Sequence, residues 1–306
     1  MAGPADTPRA AYHRNRTIVL FFDAASGIPA ARLPPTMPTT NDSRPAPQIG
    51  VFDSGVGGLS VLRAIRAGLP GARLTYFADT AHAPYGDRDD DHALLRAHRV
   101  SEHLIARGAQ AIVVACNTAT AVAIESLRAR WPGVPFVGVE PGLKPALALS
   151  RSGRIGVMAT PATLRSDRFA RLCAAHPRPA RLHLEPCPGL AALIESGDLD
   201  APALLAAIDA HAAALRRAEV DVVVLGCTHY VFVREPLQRA LGPKVTIVDT
   251  ADAVARQVSR VVGSGAASAA TPGALRLEAT TDTRGLQRIA ERWLGLVAPV
   301  ELEAQV

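Results

Sequence analysis

The sequence predicts an α/β protein made of two related parallel sheets, and three observations predict it. Apolar, β-branched runs ending in a small residue occur at Ile112-Val-Val-Ala-Cys116 and Val222-Val-Val-Leu-Gly-Cys227. Such runs read as strands buried on both faces, as in a parallel sheet. Strand-like and helix-like segments then alternate from Gln48 onward, the signature of a parallel α/β fold. Finally, Ile49-Gly50-Val51 returns as Ile155-Gly156-Val157 after 106 residues, and the two cysteine runs are 111 residues apart. Two landmarks in the same order at nearly the same separation indicate internal duplication. The expected architecture is two pseudo-symmetric parallel-sheet α/β domains with the active site between them. Residues 48–139 plus 250–306 are assigned to the first, 140–249 to the second, and 1–47 to an extension.

Composition narrows the function. The chain has 306 residues, enough for two ordinary cores. No apolar run approaches the roughly 20 residues of a membrane span. Basic residues number 33, all but Lys144 and Lys244 being Arg, against 28 acidic ones. The arginines are scattered and aromatics are scarce, which argues against a nucleic-acid surface with its basic stripe and stacking rings. Four cysteines (Cys116, Cys173, Cys187, Cys227) contain no C-x-x-C pair and no zinc spacing, so a reducing cytoplasm is expected.

The extension holds eight of the 24 prolines and no Glu, and is expected to be disordered; Met37 within it could serve as an internal start. The ordered body opens on the strand Gln48–Phe52, followed by Asp53-Ser54-Gly55-Val56-Gly57-Gly58. Glycines at a strand-to-helix turn let backbone N–H groups approach a ligand, and here an anion such as a carboxylate suits the turn better than a nucleotide. For Asp53 the competing reading is a helix N-cap. A helix over 61–66 precedes a strand at Leu74–Phe77, then Asp79-x-x-x-x-Pro84-Tyr85-Gly86 and a helix over Asp87–Ala106. After the Cys116 strand come a helix over Ala119–Arg130 and a strand at Pro135–Val139. Beyond the second Ile-Gly-Val strand, a helix is expected over Asp198–Ala218, a loop at 263–272, a strand at Ala274–Ala279 and a helix at Thr283–Leu294.

A lone strand-end cysteine usually packs as a small hydrophobe. Two in equivalent places, each where a helix N-terminus can depress a thiol pKa, suggest chemistry. A reaction that moves a proton from one face of a carbon to the other needs two such groups. Close approach disfavours a dianion, so the resting pair is one thiolate and one thiol. Candidate assistants are Asp53 near the first thiol and His229 near the second, although positions 227 and 229 are poorly placed for direct contact within a regular element. Lys144 and Lys244 sit in turns, so a pyridoxal Schiff base is not expected and no cofactor is assigned. Ser54, Asn117, Thr118, Thr160 and Thr228 lie at matched strand ends as donors to a substrate.

The segments Gly50-Val-Phe-Asp53-Ser54-Gly-Val-Gly-Gly, Asp79…Pro84-Tyr85-Gly86, Ala115-Cys116-Asn117-Thr118 and Gly226-Cys227-Thr228-His229-Tyr230 together resemble the cofactor-independent aspartate/glutamate racemase family. The resemblance covers about residues 48–294. It implies racemisation of glutamate, a small-molecule substrate, for peptidoglycan in the cytoplasm, with no membrane or nucleic acid required; a homodimer is compatible with it. It implies Cys116 and Cys227 as catalytic thiols and Asp53 and His229 as groups that assist them and touch substrate. Ser54, Pro84, Tyr85, Gly86, Asn117, Thr118, Thr160, Thr228 and Glu195 correspond to the pocket. The family's Gly-Thr-x-x-Thr is Ala159-Thr160-Pro-Ala-Thr163 here, and the segment after Cys187-Pro188 lacks a further proline. Rival functions are an aspartate or hydantoin racemase, an arylmalonate decarboxylase on the same scaffold, and a non-catalytic regulatory binding protein. Plainer readings also stand: Cys173 and Cys187 pack, His82, His92, His98, His103 and His211 lie on the surface, Glu195 is a helix charge, and Tyr85 packs in a turn.

Overall fold

A computed structural model describes residues 46–175, 180–263, 271–295 and 298–306. Nearly all of the extension, and residues 264–270 of the expected loop, lie outside the described residues.

Among the described residues, ten strands form two all-parallel sheets. The larger takes β1 (Gln48–Asp53), β2 (Arg73–Ala78), β3 (Ala111–Val114), β4 (Phe136–Gly138), β9 (Leu275–Ala279) and β10 (Val300–Leu302), in the order β10-β9-β2-β1-β3-β4. The smaller takes β5 (Arg154–Ala159), β6 (Arg181–Pro186), β7 (Val222–Leu225) and β8 (Thr246–Val248), in the order β6-β5-β7-β8. The order β2-β1-β3-β4 is repeated as β6-β5-β7-β8, which is the duplication expressed as topology. Ile49 pairs with Ala111 in one sheet and Ile155 with Val222 in the other. β3 and β7 are buried along their whole length, as continuous apolar runs require.

The glycine of each Ile-Gly-Val strand serves packing. A Cβ on Gly50 would stand 2.9 Å from Ile112 Cδ1, and one on Gly156 2.4 Å from Leu215 Cδ2. Both spaces are already filled by side chains packed over the sheet.

Helices α1 (Leu59–Gly68), α10 (Ala251–Val262) and α11 (Thr283–Leu294) pack as one group beside the larger sheet, while α2 (Asp90–Ala106) and α3 (Asn117–Arg130) pack as another. The smaller sheet carries α4 (Leu143–Leu149), α5 (Pro161–Arg165), α6 (Asp167–Ala174), α7 (Leu190–Glu195), α8 (Pro202–Arg217) and α9 (Arg234–Leu241). One apolar core runs unbroken from Val51, Leu62 and Tyr76 of the first half to Met158, Leu225 and Tyr230 of the second. No helix among the described residues is long and apolar enough to cross a membrane.

Some boundaries move. α2 begins at Asp90, three residues after its expected start, because Asp89 caps it by accepting from the N–H of His92 at 2.6 Å. Helix α8 begins at Pro202, a residue suited to a first turn because its missing N–H costs nothing there. The five histidines expected on the surface are half-buried instead. His103 meets the fully buried Glu278 at 2.7 Å, His211 meets Glu185 at 2.8 Å, and His98 meets Ser126 at 2.9 Å.

Candidate active site

The site lies where the C-terminal ends of β1 and β3 face those of β5 and β7, the place where open α/β sheets bind ligands. Cys116 follows β3 and is the N-cap of α3; its sulfur accepts the N–H of Ala119 at 3.5 Å. Its thiol donates to Ser54 Oγ at 3.9 Å, Ser54 donates to Asp53 Oδ1 at 3.1 Å, and Asp53 Oδ2 accepts from Thr228 Oγ1 at 2.8 Å. One chain of bonds therefore runs from the first thiol, through the end of β1, to the residue beside the second thiol.

Cys227 belongs to a separate chain. After it the backbone enters a 3-10 turn, Thr228–Val233, rather than an α-helix. This corrects the expectation that positions 227 and 229 are poorly placed for direct contact. Cys227 itself is extended (φ −143°, ψ 137°), and His229 turns back so that Nδ1 stands 3.8 Å from Cys227 Sγ. The other ring nitrogen, Nε2, meets Glu195 Oε2 at 2.6 Å. Glu195 is the last residue of α7, which starts after Gly189 in a left-handed conformation (φ 72°) that an L-residue adopts at a cost.

The two carboxyl oxygens of Glu195 also accept the N–H of Val56 at 3.1 and 3.0 Å. The glycine-rich turn after β1 does hold an anion, as its composition predicts, and that anion is the protein's own. Close approach explains the glycines. A Cβ on Gly55 would fall 2.3 Å from each Glu195 oxygen, and one on Gly57 would fall 2.4 Å from His229 Nδ1 and 2.6 Å from Thr228 Oγ1. Asp53 does not cap α1, whose N-cap is Gly58 without a side-chain bond. It closes its own turn by accepting the N–H of Gly55 at 3.1 Å.

Burial governs the electrostatics. Cys116 and Cys227 are only 6% and 7% exposed. Burial, followed by the negative field of Asp53, pushes the Cys116 thiol far above the ordinary range. Burial also raises the Asp53 carboxyl, against lowering by His229 and the bonds from Thr228 and Gly55. For His229 burial alone would depress the pKa, but the contacts with Cys227 and Glu195 outweigh it and hold the imidazolium well above its usual value. A raised folded-state value means that the stability His229 contributes is fully present at acidic pH. It is lost as pH rises through that folded-state value. Glu195→Gln is expected to lower the His229 pKa, read as an earlier midpoint in a ring-nitrogen NMR titration. An unmoved midpoint would show that Glu195 does not hold the proton.

The remaining predicted residues fall around this pair. Thr118, in the first turn of α3, meets Thr160 of the second half, Oγ1 to Oγ1, at 3.1 Å. Thr160 in turn caps α5 by accepting the N–H of Thr163 at 3.2 Å, with Pro161 opening the helix. The side-chain amide nitrogen of Asn117, at 5% exposure, has no hydrogen-bond partner among the described residues. Gly86 presses on Thr160, whose Cγ2 would lie 2.5 Å from an added Cβ. Tyr85 is fully buried, and its hydroxyl points to Asp79 (2.5 Å) and takes no part in either chain described above. Cys187 is buried, its thiol spent on the Glu185 carbonyl at 3.3 Å, and Cys173 lies in α6; neither enters a chain to the paired thiols.

Comparison with known proteins places this arrangement. The Asp/Glu/hydantoin racemase family matches residues 49–258. The chain belongs to that family. Among relatives of this racemase, a glutamate racemase of Ectopseudomonas mendocina is 44% identical over 255 residues, 83% of this chain and 97% of the relative. A glutamate racemase isoform from Bacillus anthracis superposes with a TM-score of 0.77 at 30% identity, covering 85% of this chain and 98% of that one. The Escherichia coli enzyme, solved with L-glutamate and the activator UDP-MurNAc-Ala, superposes at 0.75 with 30% identity, covering 84% and 98%.

Two features of the racemase site were not legible in its sequence. Tyr76, fully buried in β2, donates its hydroxyl to the Gly55 carbonyl at 2.6 Å and pins the glycine turn from beneath. Arg96, in the middle of α2, binds Asp79. A tyrosine inside a strand and an arginine inside a helix carry no local signal of such roles; only the tertiary contact reveals them.

Proposed function

We propose that this racemase interconverts L- and D-glutamate by passing a proton between Cys116, Cys227 and the substrate α-carbon. The product D-glutamate would serve peptidoglycan synthesis in the cytoplasm. The observation that carries the reading is the pairing itself: two buried thiols end equivalent strands of two sheets, and each belongs to its own hydrogen-bond chain. The substrate is inferred from relatives named glutamate racemase that are 44–46% identical to this chain, and from the L-glutamate held by the Escherichia coli enzyme.

Burial and Asp53 keep Cys116 as a thiol at rest, and the proposed mechanism gives the opposite role, that of proton acceptor, to Cys227 beside the charged His229. Each pKa unit of bias between the two corresponds to about 1.4 kcal/mol. In one direction the Cys227 thiolate takes the α-proton; the Cα–H bond breaks, an S–H bond forms, and the electron pair remains on the carbon. The Cys116 S–H bond then breaks and delivers its proton to the opposite face, leaving a Cys116 thiolate. The reverse direction exchanges the roles. The amide nitrogen of Asn117, unpartnered among the described residues, is the donor that would hold a substrate carboxylate. The hydroxyls of Ser54 and Thr228 are committed to Asp53, and those of Thr118 and Thr160 to each other and to Thr163, so they would have to exchange these bonds for ones to substrate.

Solvent isotope tracing tests the mechanism. With either glutamate enantiomer in D2O and no added cofactor, deuterium at Cα should appear first in the newly formed enantiomer. Deuterium accumulating in the starting enantiomer ahead of product would indicate a single exchanging base and sink the two-thiol reading.

A further inference from the structure

Asp79 and Arg96 form a buried ion pair beside the site that the proposed proton transfer does not use. Asp79 follows β2, and its main-chain N–H donates to the Asp53 carbonyl at 3.1 Å, so its backbone is tied to the strand end that carries Asp53. Its carboxylate is fully buried, and Arg96 is 3% exposed. Arg96 grips it with both edges of the fork, Nε to Oδ2 at 2.7 Å and Nη2 to Oδ1 at 2.8 Å. The remaining Nη1 donates to the Val306 carbonyl at 2.7 Å. Into this pair the Tyr85 hydroxyl donates, 2.5 Å from Asp79 Oδ2.

The charges are expensive to desolvate, and a buried pair is on that ground no guarantee of stability. What the pair does secure is geometry. With both carboxylate oxygens fixed by a planar fork, the acceptor for Tyr85 has one orientation. Burial, then the Asp79 charge, raises the Tyr85 phenol well above its usual value, so it remains a donor. Tyr85 leads directly to Gly86, whose backbone abuts Thr160 of the other half, and Thr160 meets Thr118.

We propose that Asp79 and Arg96 are positioning residues: without touching substrate, they set the Tyr85–Gly86 segment against Thr160 and so fix the fit of the pocket to its amino acid. The inference rests on the racemase reading above for the identity of that pocket.

Arg96→Lys keeps the charge but loses the fork, and Tyr85→Phe removes the other end of the same contact. Racemisation of both glutamate enantiomers is followed by circular dichroism for wild type, each variant and the double variant. Arg96→Lys should raise KM about tenfold, the equivalent of about 1.4 kcal/mol, with kcat changed less than threefold. The double variant should be no worse than the worse single one, because both act through one contact. A lowered melting temperature with KM unchanged would reduce the pair to a structural role and overturn the proposal, as would KM effects that multiply in the double variant. Wild-type turnover in the same assay reports on the racemase reading separately, so active wild type with indifferent variants counts against the positioning role alone.

Discussion

Alanine at Cys116 or at Cys227 is expected to lower racemisation by on the order of 10³-fold, within the range typical of a lost general acid or base. The two losses should differ in what survives. With Cys116→Ala, the Cys227–His229–Glu195 chain is untouched, and under the proposed mechanism the remaining sulfur would still serve one side of the α-carbon. That variant should exchange the α-proton of one enantiomer with solvent and release it unchanged. Cys227→Ala keeps the Cys116–Ser54–Asp53 chain and should show the complementary preference. Proton NMR of each pure enantiomer in D2O distinguishes the cases. Full racemisation by either variant, or the same enantiomer exchanged by both, would remove the two-thiol mechanism.

Gly57→Ala is expected to be nearly as damaging, although residue 57 carries no functional group. The added Cβ would stand 2.4 Å from His229 Nδ1 and 2.6 Å from Thr228 Oγ1, closer than real contacts allow. Neither neighbour can yield cheaply. His229 is held by Glu195 at 2.6 Å, and Thr228 is held by Asp53 at 2.8 Å. The ring must therefore swing away from Cys227 or the turn must rise. A displacement of about 1 Å costs on the order of 10²-fold in turnover, and overpacking costs about 1–3 kcal/mol in stability. The signature is a kcat loss of that size in protein that still melts cooperatively. Wild-type turnover would show that the turn is not packed on His229.

The sheets were legible because their evidence is local and periodic. β3 and β7 are short apolar runs buried on both faces, and their echo marks the duplication in the sequence itself. β6 was missed because it is an edge strand whose Arg181-Leu-His-Leu-Glu-Pro sequence mixes polar residues into a partly exposed surface. At the site, Cys116, Cys227, Asp53 and Ser54 were named from pattern and family resemblance, and they stand where strand ends put them. The His229–Cys227 contact was misjudged because it depends on a 3-10 turn, a local choice between helix types that composition does not encode. Asp79 was visible as a motif letter only. Its meaning required Arg96, 17 residues away, which on a helix reads as one more solvated charge.

The carboxylate of Glu195 on the Val56 N–H group has one further consequence. A glycine turn at a strand end is a receptor for any small anion, and phosphate or sulfate would ordinarily compete for it. Here the receptor has a tenant on a short leash. A tethered group acts at an effective concentration of about millimolar or more, so a free anion must outbid it merely to enter. The loop at the end of β1 is thereby reserved, and the charge it holds joins the contact with Cys227 in keeping the proton on His229.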